Sequence, residues 1–338
     1  MKEYLEKVIE KEDLTLSESY YVMTEIMSGK VNNSLLAGFL VALKSKGETA
    51  IEIAGFAQAM RDKSIKIICA EKNVIDVCGT GGDESGSFNI STATAFAAAG
   101  AGIKVAKHGN RSVSSKCGSA DVLIELGINI NLTPPQSEEA LNKIGIAFLF
   151  APIYHPAMKY AAPVRNELGT KTIFNILGPL TNPAGTKRQL IGVYNEKTAK
   201  LMSQAADYLN FDKVTFVCSE NKFDEISLGG TTSLFEYNKE SDVKEYCISN
   251  KTFGYPFVDN EQIKGDTSKL NAKIILDVFE NKSQNGAFHT IAANTALALY
   301  NAGYSNELME CKAAAEDSIL SGAALNKLNE LRTFSNKF

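Results

Sequence analysis

From Ile65 onward, short apolar runs rich in β-branched residues alternate with longer stretches of helical character. The runs at 74–78, 103–106, 147–151, 190–194 and 214–218 are strand-length, and stretches such as 196–209 between them are helix-length. Strands so apolar cannot leave a face in water, so this alternation predicts an α/β fold: a mostly parallel central sheet flanked by helices. Ligands of such sheets bind beyond the carboxyl ends of the strands, which makes the residues after each run the ones to read.

The first 65 residues follow another rule. They carry a helical pattern without strands, with capping boxes at Thr15-Leu16-Ser17-Glu18 and Thr49-Ala50-Ile51-Glu52 and with Gly29 and Gly47 where helices would end. Leu35, Leu36, Phe39, Leu40 and Leu43 form a stripe at helical spacing that reads as core, part of it available to a second subunit. The expected organisation is a small all-helical N-terminal domain, 1–65, followed by an α/β domain, 66–338. A chain of 338 residues is long enough for both.

Two polar segments follow the first two strands. Asp76-Val77-Cys78-Gly79-Thr80-Gly81-Gly82-Asp83 offers backbone N–H groups that no side chain screens. It lacks the third glycine of a dinucleotide fingerprint and the Gly-Lys-Ser/Thr of a P-loop. Asp83 would repel a bare phosphate and suits a metal ion or a sugar hydroxyl. Asn89, Ser91 and Thr92 then open an alanine-rich helix, where they cap and where anions are attracted. The second segment, Lys107-His108-Gly109-Asn110-Arg111-Ser112-Val113-Ser114-Ser115, brings cations and hydroxyls, and Ser119 caps the helix after it. Singly, the first segment is equally a tight strand-to-helix turn and the second a solvated charged face. Together they read as a polyphosphate site.

Asp224-Glu225 follows the run at 214–218. Adjacent acids are common on surfaces, but a sparse acidic pair is also what magnesium uses when substrate phosphate completes its shell. Arg165 is by default a surface arginine, and its planar fork also matches a carboxylate. The net charge of −4 and the pI near 5.6 leave no basic stripe for nucleic acid. Six cysteines without a C-x-x-C pair, and a beginning without a signal-peptide core, fit a reducing cytoplasm. No apolar run reaches membrane-spanning length, so no membrane partner is expected.

Gly79-Thr80-Gly81-Gly82-Asp83, Asn89-Ile90-Ser91-Thr92, the Lys107 segment and Gly118-Ser119-Ala120-Asp121 together resemble the anthranilate phosphoribosyltransferase family. So do Phe150-Ala151-Pro152 with His155-Pro156-Ala157-Met158, Arg165-Asn166-Glu167-Leu168-Gly169, the run from Asn175 to Pro183, and Asp224-Glu225, in that family's order. The resemblance covers almost the whole chain. It implies transfer of the phosphoribosyl group of phosphoribosyl pyrophosphate (PRPP) to the amine of anthranilate, in tryptophan biosynthesis.

By the same resemblance, PRPP would contact Gly79, Gly82, Asp83 and Ser87, then Asn89, Ile90, Ser91 and Thr92. It would also contact Lys107, His108, Gly109, Asn110, Arg111, Ser112, Val113, Ser114, Ser115 and Ser119. Anthranilate would meet Gly79, Asn110 and Arg165, with His108, an orienting group, and Pro179 lining its pocket; His155 and His289 read as structural. Two magnesium ions per monomer are implied, with Asp224 binding one, Glu225 bridging both and the Ser91 hydroxyl completing a shell. The helical domain would take back a segment near 165–185 and carry a homodimer contact. One departure is plain: Leu168-Gly169-Thr170-Lys171-Thr172 stands where the family usually shows Leu-Gly-x-Arg-Thr, and Lys171 is left outside the site. A pyrimidine nucleoside phosphorylase would need a Lys-x-Ser-Gly-Arg loop, which is absent. A nucleic-acid-binding relative of the fold would be basic.

Overall fold

The structure is a computed structural model that describes residues 1–69, 71, 73–83, 85–112 and 117–338. It opens with α1 (Lys2–Ile9), α2 (Leu16–Met27), α3 (Asn33–Lys46) and α4 (Ala50–Lys63). Both capping boxes form: the Thr15 and Thr49 hydroxyls accept the backbone N–H groups of Glu18 and Glu52, whose carboxylates reach back. Glu52 does more than cap. Fully buried, it accepts the Leu14 N–H at 3.0 Å and, on its other oxygen, the Thr49 N–H at 2.8 Å and the Lys46 ammonium at 2.9 Å. Leu36, Phe39, Leu40 and Leu43 are buried along α3, whereas Leu35 is half-exposed.

Five parallel strands follow: β1 (Ile75–Gly79), β2 (Val105–Gly109), β3 (Ile146–Phe150), β4 (Arg188–Gly192) and β5 (Lys213–Ser219). An antiparallel hairpin, β6 (Thr232–Asn238) and β7 (Ser241–Ile248), extends the sheet, whose order is β3-β2-β1-β4-β5-β6-β7. The sequence reading placed the parallel strands within about three residues but not the hairpin, because β7 is exposed over most of its length and carries no apolar run.

The connections are α5 (Ile90–Gly100) between β1 and β2, then α6 (Ser119–Glu125) and α7 (Pro134–Ile144) before β3. After β3 come α8 (Ala151–Tyr154), α9 (Ala162–Leu168) and α10 (Phe174–Leu177), and α11 (Glu196–Ala205) joins β4 to β5. Beyond the hairpin lie α12 (Asn250–Phe253), α13 (Ser268–Phe279), α14 (Gly286–Ala302), α15 (Leu308–Leu320) and α16 (Ala323–Ser335). Helix α6 begins at Ser119 with Gly118 as its cap, so Ser119 is not the capping residue expected.

Strand alternation divides the apolar residues between two cores. Val77, Leu190, Val217 and Leu234 pack with α5, α14 and α16. Ile191, Val193, Val214, Phe216 and Phe235 face the other way, into a core continuous with the N-terminal helices. That second core also takes Val164, Phe174, Leu177 and Leu180 from the segment after β3, where α9 packs on α3 and α10 on α4.

Glu52→Ala should cost about 2–4 kcal/mol, since it leaves the buried Leu14 N–H unpaired, removes the cap at Thr49 and takes one of two carboxylates from the Lys46 ammonium, which keeps Asp13 at 2.6 Å. The shift of the urea unfolding midpoint measures this; a change under about 1 kcal/mol, the scale of an ordinary cap, would contradict it.

Candidate active site at the carboxyl ends of the strands

Strand β2 ends in two polar residues that alternation sends to opposite faces of the sheet. Lys107 turns toward α5, where its ammonium donates to the Val77 carbonyl at 2.7 Å and lies 3.3 Å from the Ser91 hydroxyl. His108 turns the other way, its ring centroid 5.1 Å from that of His155. Asp76, wholly buried in the middle of β1, holds this strand end. One carboxylate oxygen accepts the His108 backbone N–H at 3.1 Å, and the other accepts the side-chain amides of Asn182 at 2.7 Å and Gln189 at 3.4 Å.

The segment after β5 crosses the ends of β1 and β4. It comes so close that a Cβ at Gly79 would stand 2.6 Å from the Asp224 carboxylate and one at Gly192 would fall on the Asp224 carbonyl. Asp224 Oδ2 accepts the Gly81 N–H at 2.9 Å, and Glu225 Oε1 accepts the Ser91 N–H at 3.0 Å, at the start of α5. The two acids, the glycine loop, the helix start and Lys107 therefore form one continuous cluster.

Electrostatics keeps that cluster under tension. Burial pushes the Asp224 carboxyl up to about 8, with Asp83 beside it adding to the rise. Burial and Asp224 raise Glu225 well above the usual carboxylate range, and Lys107 opposes the rise. Burial lowers Lys107 in turn, while Asp76 and the two acids favour its charged form. Like charges held this close call for a counter-cation. Among the described residues no three His, Cys, Asp or Glu side chains form a closed metal cage. Two neighbouring carboxylates with the Ser91 hydroxyl at hand nevertheless fit magnesium, which keeps water and takes up phosphate oxygens rather than filling its shell from protein.

Across the sheet lies a drier region. Burial holds both imidazoles neutral: His108 well below its ordinary range, with His155 and Lys107 adding to the effect, and His155 down to about 4, helped by Lys66. Each ring donates to a backbone carbonyl, Gly178 for His108 and Thr181 for His155, and each Nε2 is buried without a partner among the described residues. The donating nitrogen is therefore Nδ1, which leaves Nε2 as a lone-pair acceptor. Arg165, half-buried on α9, sits 5.3 Å above the Phe174 ring and has no carboxylate partner among the described residues. Pro179 is buried next to Gly178.

The other expected residues are distributed as follows. Asn89 precedes α5 without capping it, because its side-chain oxygen accepts the Asn271 amide at 2.9 Å and the Cys117 thiol at 3.2 Å. Ile90 and Thr92 are buried in α5, and the Thr92 hydroxyl has no partner among the described residues. Ser87 bridges to Lys264. Asp121 gathers the second loop, accepting the N–H groups of Ser112 and Gly118 and lying 3.6 Å from Arg111. The Asn110 carbonyl accepts the Ser119 hydroxyl at 3.2 Å, just past Gly109 at the end of β2. Val113, Ser114 and Ser115 lie outside the described residues. The sequence reading gave Asp76 no role of its own and left Lys171 outside the site. Asp76 carried a signal, an acid inside an apolar run; Lys171 sits against the glycine loop, its ammonium 2.6 Å from the Gly82 carbonyl.

Comparison with known proteins gives a consistent answer. Residues 2–64 match the helical bundle domain, and residues 71–325 the a/b domain, of a glycosyl transferase family. The chain is 44% identical over 331 residues to anthranilate phosphoribosyltransferase of Alkaliphilus metalliredigens, covering 98% of this chain and 97% of that one. It is similar to the Thermus thermophilus anthranilate phosphoribosyltransferase structure, with a TM-score of 0.93, 36% identity and coverage of 98% and 99%. The Saccharomyces cerevisiae enzyme in complex with PRPP and Mg matches with a TM-score of 0.91, 26% identity and coverage of 99% and 98%.

The buried imidazoles give a pH dependence with a definite sign. His155 titrates near 4 when folded and near 6.5 when free, so as pH falls through that window the unfolded chain takes up a proton that the folded chain refuses. Stability is lost as pH drops from 6.5 to 4. His155→Gln should flatten that part of the stability profile by up to about 3 kcal/mol, measured by urea unfolding at each pH. Equal slopes for the two proteins would contradict the assignment.

Proposed function

The chain belongs to the glycosyl transferase family through both its helical bundle and its a/b domain, and within that family to the anthranilate phosphoribosyltransferases; from that premise we infer how its residues divide the work. The enzyme transfers the phosphoribosyl group of PRPP to the amine of anthranilate, giving N-(5-phosphoribosyl)anthranilate and pyrophosphate, a step of tryptophan biosynthesis. One C–O bond at C1 breaks, one C–N bond forms and the amine releases a proton. Negative charge grows on the leaving group while the ribose gains oxocarbenium character. The protein's task is therefore chiefly electrostatic.

The observation that carries the assignment of roles is the single cluster joining Lys107, Ser91, Glu225, Asp224 and the glycine loop. We assign Lys107 and the glycine-loop amides to the departing pyrophosphate, and Ser119 with residues 89–92 to the phosphoribosyl portion. The carboxylates of Asp224 and Glu225, with the Ser91 hydroxyl, would hold magnesium, and we propose two ions per monomer, to both of which Glu225 would contribute. When bound, magnesium neutralises charge on the diphosphate.

Anthranilate is assigned to the opposite face of β2. Arg165, half-buried and lacking a carboxylate partner among the described residues, receives the anthranilate carboxylate, beside Gly79 and Asn110. An arylamine is neutral at pH 7 and needs no prior deprotonation. The free lone pair on His108 Nε2 accepts an amine N–H and points the nitrogen at C1.

We further propose that residues 1–65, with the segment near 165–185, act as one helical domain against an α/β domain at 66–338. Its exposed Leu16, Tyr20, Tyr21, Val41 and Ile51 support a homodimer through that domain. Six free cysteines support a cytoplasmic setting. No helix among the described residues is long and apolar enough to cross a membrane.

Loss of anthranilate fluorescence on adding PRPP and magnesium reads the reaction directly; no loss from the wild type would overturn the assignment. Glu225→Gln should lower kcat by about 10²–10³, and a near-wild-type rate at saturating magnesium would remove Glu225 from the mechanism. Arg165→Ala should raise the KM for anthranilate about ten- to a hundredfold. A rise in the KM for PRPP alone would place Arg165 in the other pocket.

A further inference from the structure

Lys171 lies in the short link between α9 and α10, on the segment that packs against the N-terminal helices. Its ammonium is 2.6 Å from the carbonyl of Gly82 and 4.1 Å from the centroid of the Tyr194 ring. No carboxylate pairs with it among the described residues. The contact is made possible by Gly82. That residue has φ +72°, and a Cβ there would stand 2.9 Å from Lys171 Cε.

The geometry points to Lys171 as a positioning residue for the diphosphate of PRPP, acting through the glycine loop. A peptide unit is planar and trans, so fixing the Gly82 carbonyl toward Lys171 fixes the Asp83 N–H in the opposite direction. The rest of the loop is tied from elsewhere: the Thr80 N–H donates to the Gly192 carbonyl at 2.9 Å and the Gly81 N–H to Asp224 at 2.9 Å. The Thr80 hydroxyl accepts the Tyr194 N–H at 3.3 Å, so the ring under the ammonium belongs to a residue that also grips the loop. Without Lys171 the Gly82 carbonyl has no other hydrogen-bond donor among the described residues. Glycines at 81 and 82 then allow the peptide between Gly82 and Asp83 to turn over, and the Asp83 N–H that it would aim at an anion turns away.

The link also runs back to the helices. Lys44 of α3 donates to the Thr170 hydroxyl at 2.6 Å, so α3, residues 170 and 171 and the glycine loop form one chain of contacts. A lysine suffices here because the target is a single carbonyl and an aromatic face, neither of which needs a planar fork.

This inference rests on the phosphoribosyl-transfer reading, and the test separates the two. Binding of inorganic pyrophosphate with magnesium is measured by calorimetry, without anthranilate, alongside steady-state kinetics. Lys171→Ala and Lys171→Met should each weaken pyrophosphate binding and raise the KM for PRPP about tenfold or more. The KM for anthranilate should stay within about twofold in both variants, a change below the worth of one hydrogen bond. Lys171→Arg should restore both values, and the thermal midpoints of all three variants identify any that fail to fold. A lower midpoint with unchanged pyrophosphate binding means a structural role and overturns the inference, as does a rise in the anthranilate KM alone. Absence of pyrophosphate binding by the wild type overturns the underlying reading as well.

Discussion

A buried ammonium must have its charge compensated close by, and Lys107 is compensated from two sides at once. Asp76 lies on one side, within β1, and Glu225 and Asp224 on the other, in the loop that crosses the carboxyl ends of β1 and β4. Each partner depends on it in return: Lys107 lowers the proton affinity of both Asp76 and Glu225 against the effect of burial. None of these groups could be buried alone without a heavy desolvation penalty. Their mutual neutralisation lets the ends of β1 and β2, the start of α5 and the loop after β5 meet in the protein interior.

Asp76 extends this dependence to the other face. By accepting the His108 N–H and the amide of Asn182, it fixes both the strand that carries the imidazole and the segment that covers it. A single-residue step along β2, from Lys107 to His108, thus joins a charged compartment to a drier one, with the sheet as the wall between them. On the assignment proposed above, the leaving group and the acceptor differ most in polarity, and strand alternation would be enough to give each its own surroundings.

Most of the fold was legible because it depends on local signals. Apolar runs located the five parallel strands, and two capping boxes located α2 and α4. The hairpin was not legible, since β7 has an exposed polar surface and lies at the end of the sheet, paired with β6. The site was legible as separate segments: the glycine loop, the Lys107 loop and Asp224-Glu225 each stood out, and their meeting is tertiary. What escaped were contacts that override local logic. Asn89 looks like a helix cap, yet its oxygen is taken by Asn271, 182 positions away. Lys171 stands out in sequence only as a departure from the family pattern, yet its ammonium reaches the carbonyl of a loop 89 positions earlier.

The core around the N-terminal helices draws on residues from Val8 to Tyr237. Emerging from a ribosome, those helices meet neither Val164 nor Phe174 nor Leu177 until more than a hundred further residues have been made. At 5–20 residues per second that wait is on the order of ten seconds. Through that interval the first part of the chain exists as helices with an open apolar face. The nascent protein must therefore either keep that face covered by a chaperone or hold it in loose, reversible collapse, so its vulnerable period comes early in synthesis.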